Sequence, residues 1–195
     1  MAKKVRTPGL DIEYNVDYRD VKYPRLELKT GSLLLVLPKN YKNEVALLEK
    51  HKKWLYKKDL TIKAALKEAG NRNLNLNRTN QELKQLVHLI ARNIQEQFNF
   101  RINKIYFRKM KSKWGSYSSK RNLTINTLLK YLPEKLIEYV IFHEMAHTRE
   151  RKHNERFWNM IAKKFQDCQT MEKDLLVYWF LVQKILTNSN VLGVR

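Results

Sequence analysis

The chain has 195 residues, 43% of them hydrophobic, and its 39 Lys and Arg against 19 Asp and Glu give a formal charge of +20. Length and hydrophobic content imply an ordinary globule of one domain, or one domain with a small appendage. The longest apolar run, Leu175 to Val182, is far shorter than the roughly 18 to 20 residues of a membrane span, the start MAKKVRTPGLD has no apolar stretch of the secretory kind, and Cys168 has neither a disulfide partner nor a CxxC companion.

The expectation is therefore a cytoplasmic protein with no membrane partner. A field this positive attracts polyanions through phosphate neutralisation, and it fits equally a Lys-rich surface with no such partner.

In chain order, residues 10 to 38 carry short alternating runs, DIEYNV and RLELKTGSLLLVLP. The second reads as a β-hairpin across Lys29-Thr30-Gly31-Ser32, closed by Pro38. From Asn43 to about Gly70, Val45, Leu48, Trp54 and Leu55 recur at roughly helical spacing among lysines. Gly70 with NRNLNLNR reads as a loop, and the chain is divided there into units of residues 1–78 and 79–195. A helix follows over Asn80 to Phe98, with Leu83, Leu86, Val87, Ile90, Ala91 and Ile94 on one stripe. NKIYFRKM and NLTINTLL read as strands on either side of the loop KSKWGSYSSKR. Pro133 and Glu134 then open a helix running to about Thr148, with proline in its first turn.

That helix carries FHEMAHTRERKHNERFW, residues 142 to 158. His143 and His147 are four residues apart, so their side chains leave one helix face a turn apart and can grip one ion. Glu144 lies beside that face, within reach of a water on the metal without being a ligand: two nitrogen ligands and a carboxylate general base are the division of labour in HExxH. His153 follows after enough chain to turn back, and Asn154 and Glu155 suit the start of another helix, ERFWNMIAKKF, which holds His153 at a fixed point. Three protein ligands leave a fourth position for water, the pattern of a catalytic zinc. His51 and His88 sit in ordinary helical contexts and read as structural.

Residues 113 to 158, KWGSYSSKRNLTINTLLKYLPEKLIEYVIFHEMAHTRERKHNERFW, resemble the YgjP-like metallopeptidases, a family related to the SprT-like zincins. Trp114, Gly115, Ser116, Asn126, Pro133, Tyr139, His143, Glu144, His147, His153, Phe157 and Trp158 fall on the family's pattern of a WGSCS loop, a strand ending in Asn, a Pro-led HExxH helix and a third His before an FW pair. The resemblance implies Zn2+ on His143, His147 and His153, Glu144 as catalytic base, and a protein or peptide substrate. Tyr117 stands where the family usually has cysteine. The third-ligand spacing is also that of metzincins, but Glu150 replaces the glycine they use at the turn. The implied fold is α+β: a small N-terminal β-rich unit, then a zincin-like helical domain with a short β-sheet next to the metal-binding helix.

The expected reaction is hydrolysis of an amide, with the strand NLTIN offered as a partner for an extended substrate or else as an interior strand with no free edge. Arg149, Arg151 and Tyr139 are candidates by proximity for stabilising the oxyanion. Residues 101 to 121 hold eight Lys or Arg and no acid, interleaved with Tyr106, Phe107, Trp114 and Tyr117. Arg101, Lys104, Arg108, Lys109, Lys111, Lys113, Trp114, Lys120 and Arg121 are thus candidates for a single-stranded nucleic-acid surface, against the alternative of core aromatics and a solvated basic face. A nucleic-acid-associated protein with a structural or inactive zinc site is the second functional class.

Overall fold

The computed structural model describes residues 3–7, 10–29 and 32–191, with side chains over 13–28 and 33–186. They divide into two compact units, residues 1–68 and 69–195.

In the first unit, strands β1 (Lys3–Thr7), β2 (Leu10–Arg19), β3 (Arg25–Lys29) and β4 (Ser32–Pro38) form a sheet in the order β1-β2-β4-β3. β3 and β4 pair antiparallel as the sequence suggests, with Lys29 opposite Ser32; turn residues 30 and 31 lie outside the described residues. β4 is central, parallel to β2, and its run Leu33, Leu35, Val36 and Leu37 is buried on both faces, which is why it is continuously apolar rather than alternating. The helical stretch after it is two helices, α1 (Glu44–Lys50) and α2 (Lys52–Ala69), separated at His51. Tyr14, Leu33, Leu35, Leu37, Leu47, Leu48 and Leu55 form this unit's core.

In the second unit, α3 (Asn80–Phe98) starts at a reciprocal capping box between Thr79 and Glu82 and buries Leu83, Val87, Ala91 and Ile94, while Leu86 and Ile90 are half-buried beside them. Three strands follow, β5 (Lys104–Arg108), β6 (Gly115–Tyr117) and β7 (Asn122–Asn126), in the order β5-β7-β6. The loop between the two expected strands thus contains a third. β7 runs parallel to β5 and antiparallel to β6. NLTIN is therefore the middle strand with both edges paired, which removes it as a docking edge for substrate; the edge nearest the metal helix belongs to β6.

One buried side chain fixes that arrangement. Asn126, with no exposed surface, donates to the Met110 and Lys113 carbonyls at 3.0 and 2.8 Å and accepts from the Met110 and Leu128 amides at 3.2 and 3.1 Å. Its own amide donates to the Trp114 carbonyl. The β5–β6 connection is thereby clamped to the end of β7.

A 3-10 turn (Thr127–Tyr131) leads to α4 (Glu134–Ala146). Pro133 is the residue just before the helix rather than inside its first turn, and the helix ends at Ala146 with His147 as its C-terminal cap, shorter than the span to Thr148 expected. Leu136, Ile137, Tyr139, Val140, Ile141, Phe142, Met145 and Ala146 are all buried, so α4 is enclosed nearly all round. α5 (Glu155–Ala162) is capped by Asn154, whose side chain accepts from the Phe157 amide at 3.1 Å. α6 (Cys168–Val191) adds Met171, Leu175, Tyr178 and Val182 to the core that α3, β7, α4 and α5 share.

Candidate metal centre and active site

The end of α4, the turn after it and the start of α5 bring three imidazoles to one point. His143 Nε2 lies 3.0 Å from His153 Nε2, which lies 3.1 Å from His147 Nε2. Two nitrogens each about 2.0–2.1 Å from a tetrahedral zinc sit roughly 3.3 Å apart, so the spacing matches a shared ion.

The far side of two rings decides which nitrogen offers a lone pair. His147 Nδ1 is 3.0 Å from the Glu150 carbonyl, which can only accept, so the proton belongs on Nδ1 and the lone pair on Nε2. His143 Nδ1 is enclosed and lies 3.3 Å from Glu172 Oε1, without a well-aligned hydrogen bond. A proton there faces the carboxylate and again leaves Nε2 as acceptor. Inward-facing Nε2 lone pairs in contact repel one another unless a cation sits between them, so these residues fit a metal. Among the described residues this is the group of His, Cys, Asp or Glu side chains that could hold one.

Packing keeps the rings in place. The buried Phe157 ring lies 4.9, 4.7 and 4.7 Å from the rings of His143, His147 and His153, and Trp158 lies 5.6 Å from His153. The FW pair is thus the floor and one wall of the site. Burial first, then the neighbouring His143 and His147, push the His153 pKa down, which favours its neutral, metal-binding form.

Two carboxylates flank His143. Glu144 sits against β6: a Cβ added at Gly115 would lie 2.8 Å from Glu144 Cγ, so glycine is what lets the strand and this side chain approach. Burial raises the Glu144 carboxyl above the usual range; charge on His143, His147 and Lys113, and the Tyr117 backbone N–H, act in the opposite direction. Glu172, from α6, accepts the Tyr139 hydroxyl at 2.6 Å. Burial opposes its charge, but the adjacent His143 ring, the hydrogen bond from Tyr139 and the charge of His143 and His153 outweigh that and hold it below the usual range. Burial and this bond to Glu172 drive the Tyr139 hydroxyl pKa well above ordinary phenol. Glu172 escaped the sequence reading because it lies on another helix, 29 positions beyond His143, with no motif of its own.

β6 also turns backbone towards Glu144. Trp114 accepts from the Asn126 amide and Ser118 donates to the Asn122 carbonyl, so alternation of an antiparallel pair turns the backbone groups of Gly115 and Tyr117 away from β7. The outer edge of β6 thus runs beside Glu144, which the Tyr117 N–H meets. A cavity of about 200 Å³ is lined by Lys113, Trp114, Val140, His143, Glu144, Glu172 and Leu175, and another of about 500 Å³ is bounded by Tyr117, Arg121, His147 and Arg151.

Of the oxyanion candidates, two are committed elsewhere. Tyr139 is enclosed and bound to Glu172, and the Arg149 guanidinium donates to the Phe98 carbonyl and stacks 4.7 Å over the Phe100 ring. Arg151 alone lines a cavity at the site. Along 101–121, Arg101, Lys104, Arg108, Lys109, Lys111, Lys113, Lys120 and Arg121 are exposed, as is Tyr106. Phe107 packs on His88, Trp114 donates to the Leu175 carbonyl and meets Trp179 edge-on, and the Tyr117 hydroxyl donates to the Arg101 carbonyl.

No match was found among curated proteins. Among solved structures, the metallopeptidase zymogen of Pyrococcus abyssi abylysin aligns at 19% identity over 46% of this chain and 91% of that one with a TM-score of 0.43. That of Methanocaldococcus jannaschii jannalysin aligns at 28% identity over 48% of this chain and 92% of that one with a TM-score of 0.40. Likenesses this distant carry no argument here. The YgjP-like, metallopeptidase domain family, in contrast, matches residues 59–177, which takes in α3, both walls of the site and the three histidines. By that match the chain belongs to the YgjP-like metallopeptidase family and is a metal-dependent peptidase.

Proposed function

We propose that the protein is a zinc peptidase in which His143, His147 and His153 hold the ion and Glu144 is the general base. The observation that carries this is the convergence of three Nε2 atoms within 3.1 Å contacts, two with their protons directed outward. A neutral three-nitrogen donor set with an open fourth position suits zinc better than the hard, oxygen-seeking cations. Zinc bound there would supply Lewis acidity, making a coordinated water acidic and polarising the scissile carbonyl.

The remaining steps belong to the protein. Glu144 accepts the proton of the attacking water as the new C–O bond forms, and delivers it to the amide nitrogen as the C–N bond breaks. Glu172, buttressed by the Tyr139 hydroxyl, orients His143 and raises its basicity as a ligand. With its N–H held by Glu144, Tyr117 of β6 has its carbonyl left to offer to an extended peptide.

Glu144→Gln removes the base and keeps the ligands. Its kcat should fall by about 10²–10⁴-fold with zinc content unchanged, checked by peptide cleavage beside elemental analysis; unchanged cleavage would end the scheme.

A second reading rests on β5, whose outward face carries Lys104, Tyr106 and Arg108 in alternation, all exposed. One ring between two cations suits a base stacked between phosphates. If single-stranded nucleic acid binds there, Tyr106→Ala weakens binding, affinity falls steeply with salt, and Glu144→Gln leaves it intact.

A further inference from the structure

Four arginines of this protein are held by carboxylates or carbonyls. Arg19 pairs with Asp17, Arg72 with Asp174, Arg78 with the Leu132 carbonyl and Glu134, and Arg149 with the Phe98 carbonyl. Arg121 and Arg151 are set apart from the other exposed arginines by their place: both line the 500 Å³ cavity that His147 borders, and neither guanidinium makes an ion pair among the described residues.

The rest of that cavity's wall is hydroxyl and not acid. Ser118, Ser119 and Thr148 line it, with no Asp or Glu among the lining residues. Ser118 Oγ accepts from the Asn122 amide at 3.2 Å, which leaves its proton free to donate to something else. Arg121 sits at φ 57, the left-handed region where glycine or asparagine is the usual choice, and its amide closes the turn onto the Ser118 carbonyl at 2.9 Å. A long cationic side chain at a position that disfavours it is a feature that clusters at functional sites.

We propose that the cavity between the 117–121 turn and the 147–151 segment binds a carboxylate of the peptide substrate, held by the forked donors of Arg121 and Arg151 with Ser118 in support. Planar guanidinium forks match a carboxylate bidentately, and hydroxyl donors complete its lone pairs. Because His147 is shared by this cavity and the metal point, the bound carboxylate lies beside the bond to be cut. It belongs either to an acidic side chain next to that bond or to the free C-terminus of the peptide. The assignment rests on the peptidase reading and gives it a substrate class.

The test uses zinc-loaded Glu144→Gln protein, which holds substrate without cutting it, and fluorescence anisotropy with four labelled peptides. They share one sequence, carry Glu or Gln at the residue flanking the central bond, and end in a free or amidated C-terminus. The expected result is about ten-fold tighter binding of a carboxylate-bearing peptide over its neutral counterpart. The pair that shows the difference identifies the source. Arg121→Ala and Arg151→Ala should each bring the ratio towards one, Arg151→Glu should invert it, and Lys57→Ala, a charge removed from α2, should leave it unchanged. Equal binding of all four peptides, no binding of any, or an equal loss of preference in the Lys57 variant would overturn the proposal; the last would assign the preference to the diffuse +20 field. Failure of the peptidase reading shows separately, as absence of cleavage by zinc-loaded wild type.

Discussion

The two sheets of this protein are built for different tasks. In the N-terminal sheet the central strand β4 is apolar on both faces, and its Leu33, Leu35 and Leu37 sit in a hydrophobic core. In the C-terminal sheet the central strand β7 ends in a buried asparagine with four side-chain hydrogen bonds, and its edge partner β6 has a glycine pressed against Glu144. The first sheet needs only volume and hydrophobicity, which many residues satisfy. The second must hold backbone atoms at set positions, and polar satisfaction and the lack of one Cβ do that. Stability and chemistry are thus separable here by strand.

Three substitutions sharpen the contrast, in decreasing order of effect. Leu35→Ala in β4 should lower stability by about 2–5 kcal/mol, read from the urea midpoint, with kcat of the folded fraction unchanged. A matching loss of kcat would couple the two sheets. Gly115→Ala in β6 should show the reverse pattern: its Cβ forces Glu144 aside, and a misplacement approaching 1 Å costs on the order of 10²-fold in kcat, with zinc content intact. Wild-type kcat in this variant would mean that the base does not depend on its distance from β6. Glu172→Gln keeps the Tyr139 contact but weakens the partner of His143, so zinc affinity should drop by roughly 10–100-fold, measured by chelator competition. Undiminished affinity would make Glu172 a bystander.

The same division explains what could be read from residues alone. The helix bearing His143 and Glu144 and capped by His147 announces itself because the HExxH spacing and the helix period are both local, and Asn154 marks the next start close to His153. Likewise the apolar run of β4 and the stripe of α3 follow directly from side-chain pattern. β6 did not, since three residues of Gly, Ser and Tyr carry no period and their role lies in the backbone. β1 was missed because KKVRT offers one apolar residue among polar ones. The docking role offered for NLTIN failed on a topological point, that β7 is paired on both sides, and no local pattern encodes strand order. Tyr139 was considered for the oxyanion from its nearness in sequence, but the long-range bond to Glu172 turns its hydroxyl inward.

The most direct test of the central claim is zinc stoichiometry by elemental analysis of untagged protein, wild type against His153→Ala. His153 is an exposed loop residue, so its loss leaves the core beneath His143 and His147 intact. The account predicts about one zinc per chain in wild type, as a three-ligand catalytic site binds, and a large loss in the variant with the fold retained by circular dichroism. Wild type that stays metal-free in excess zinc, or a variant that binds zinc as tightly as wild type, would contradict it.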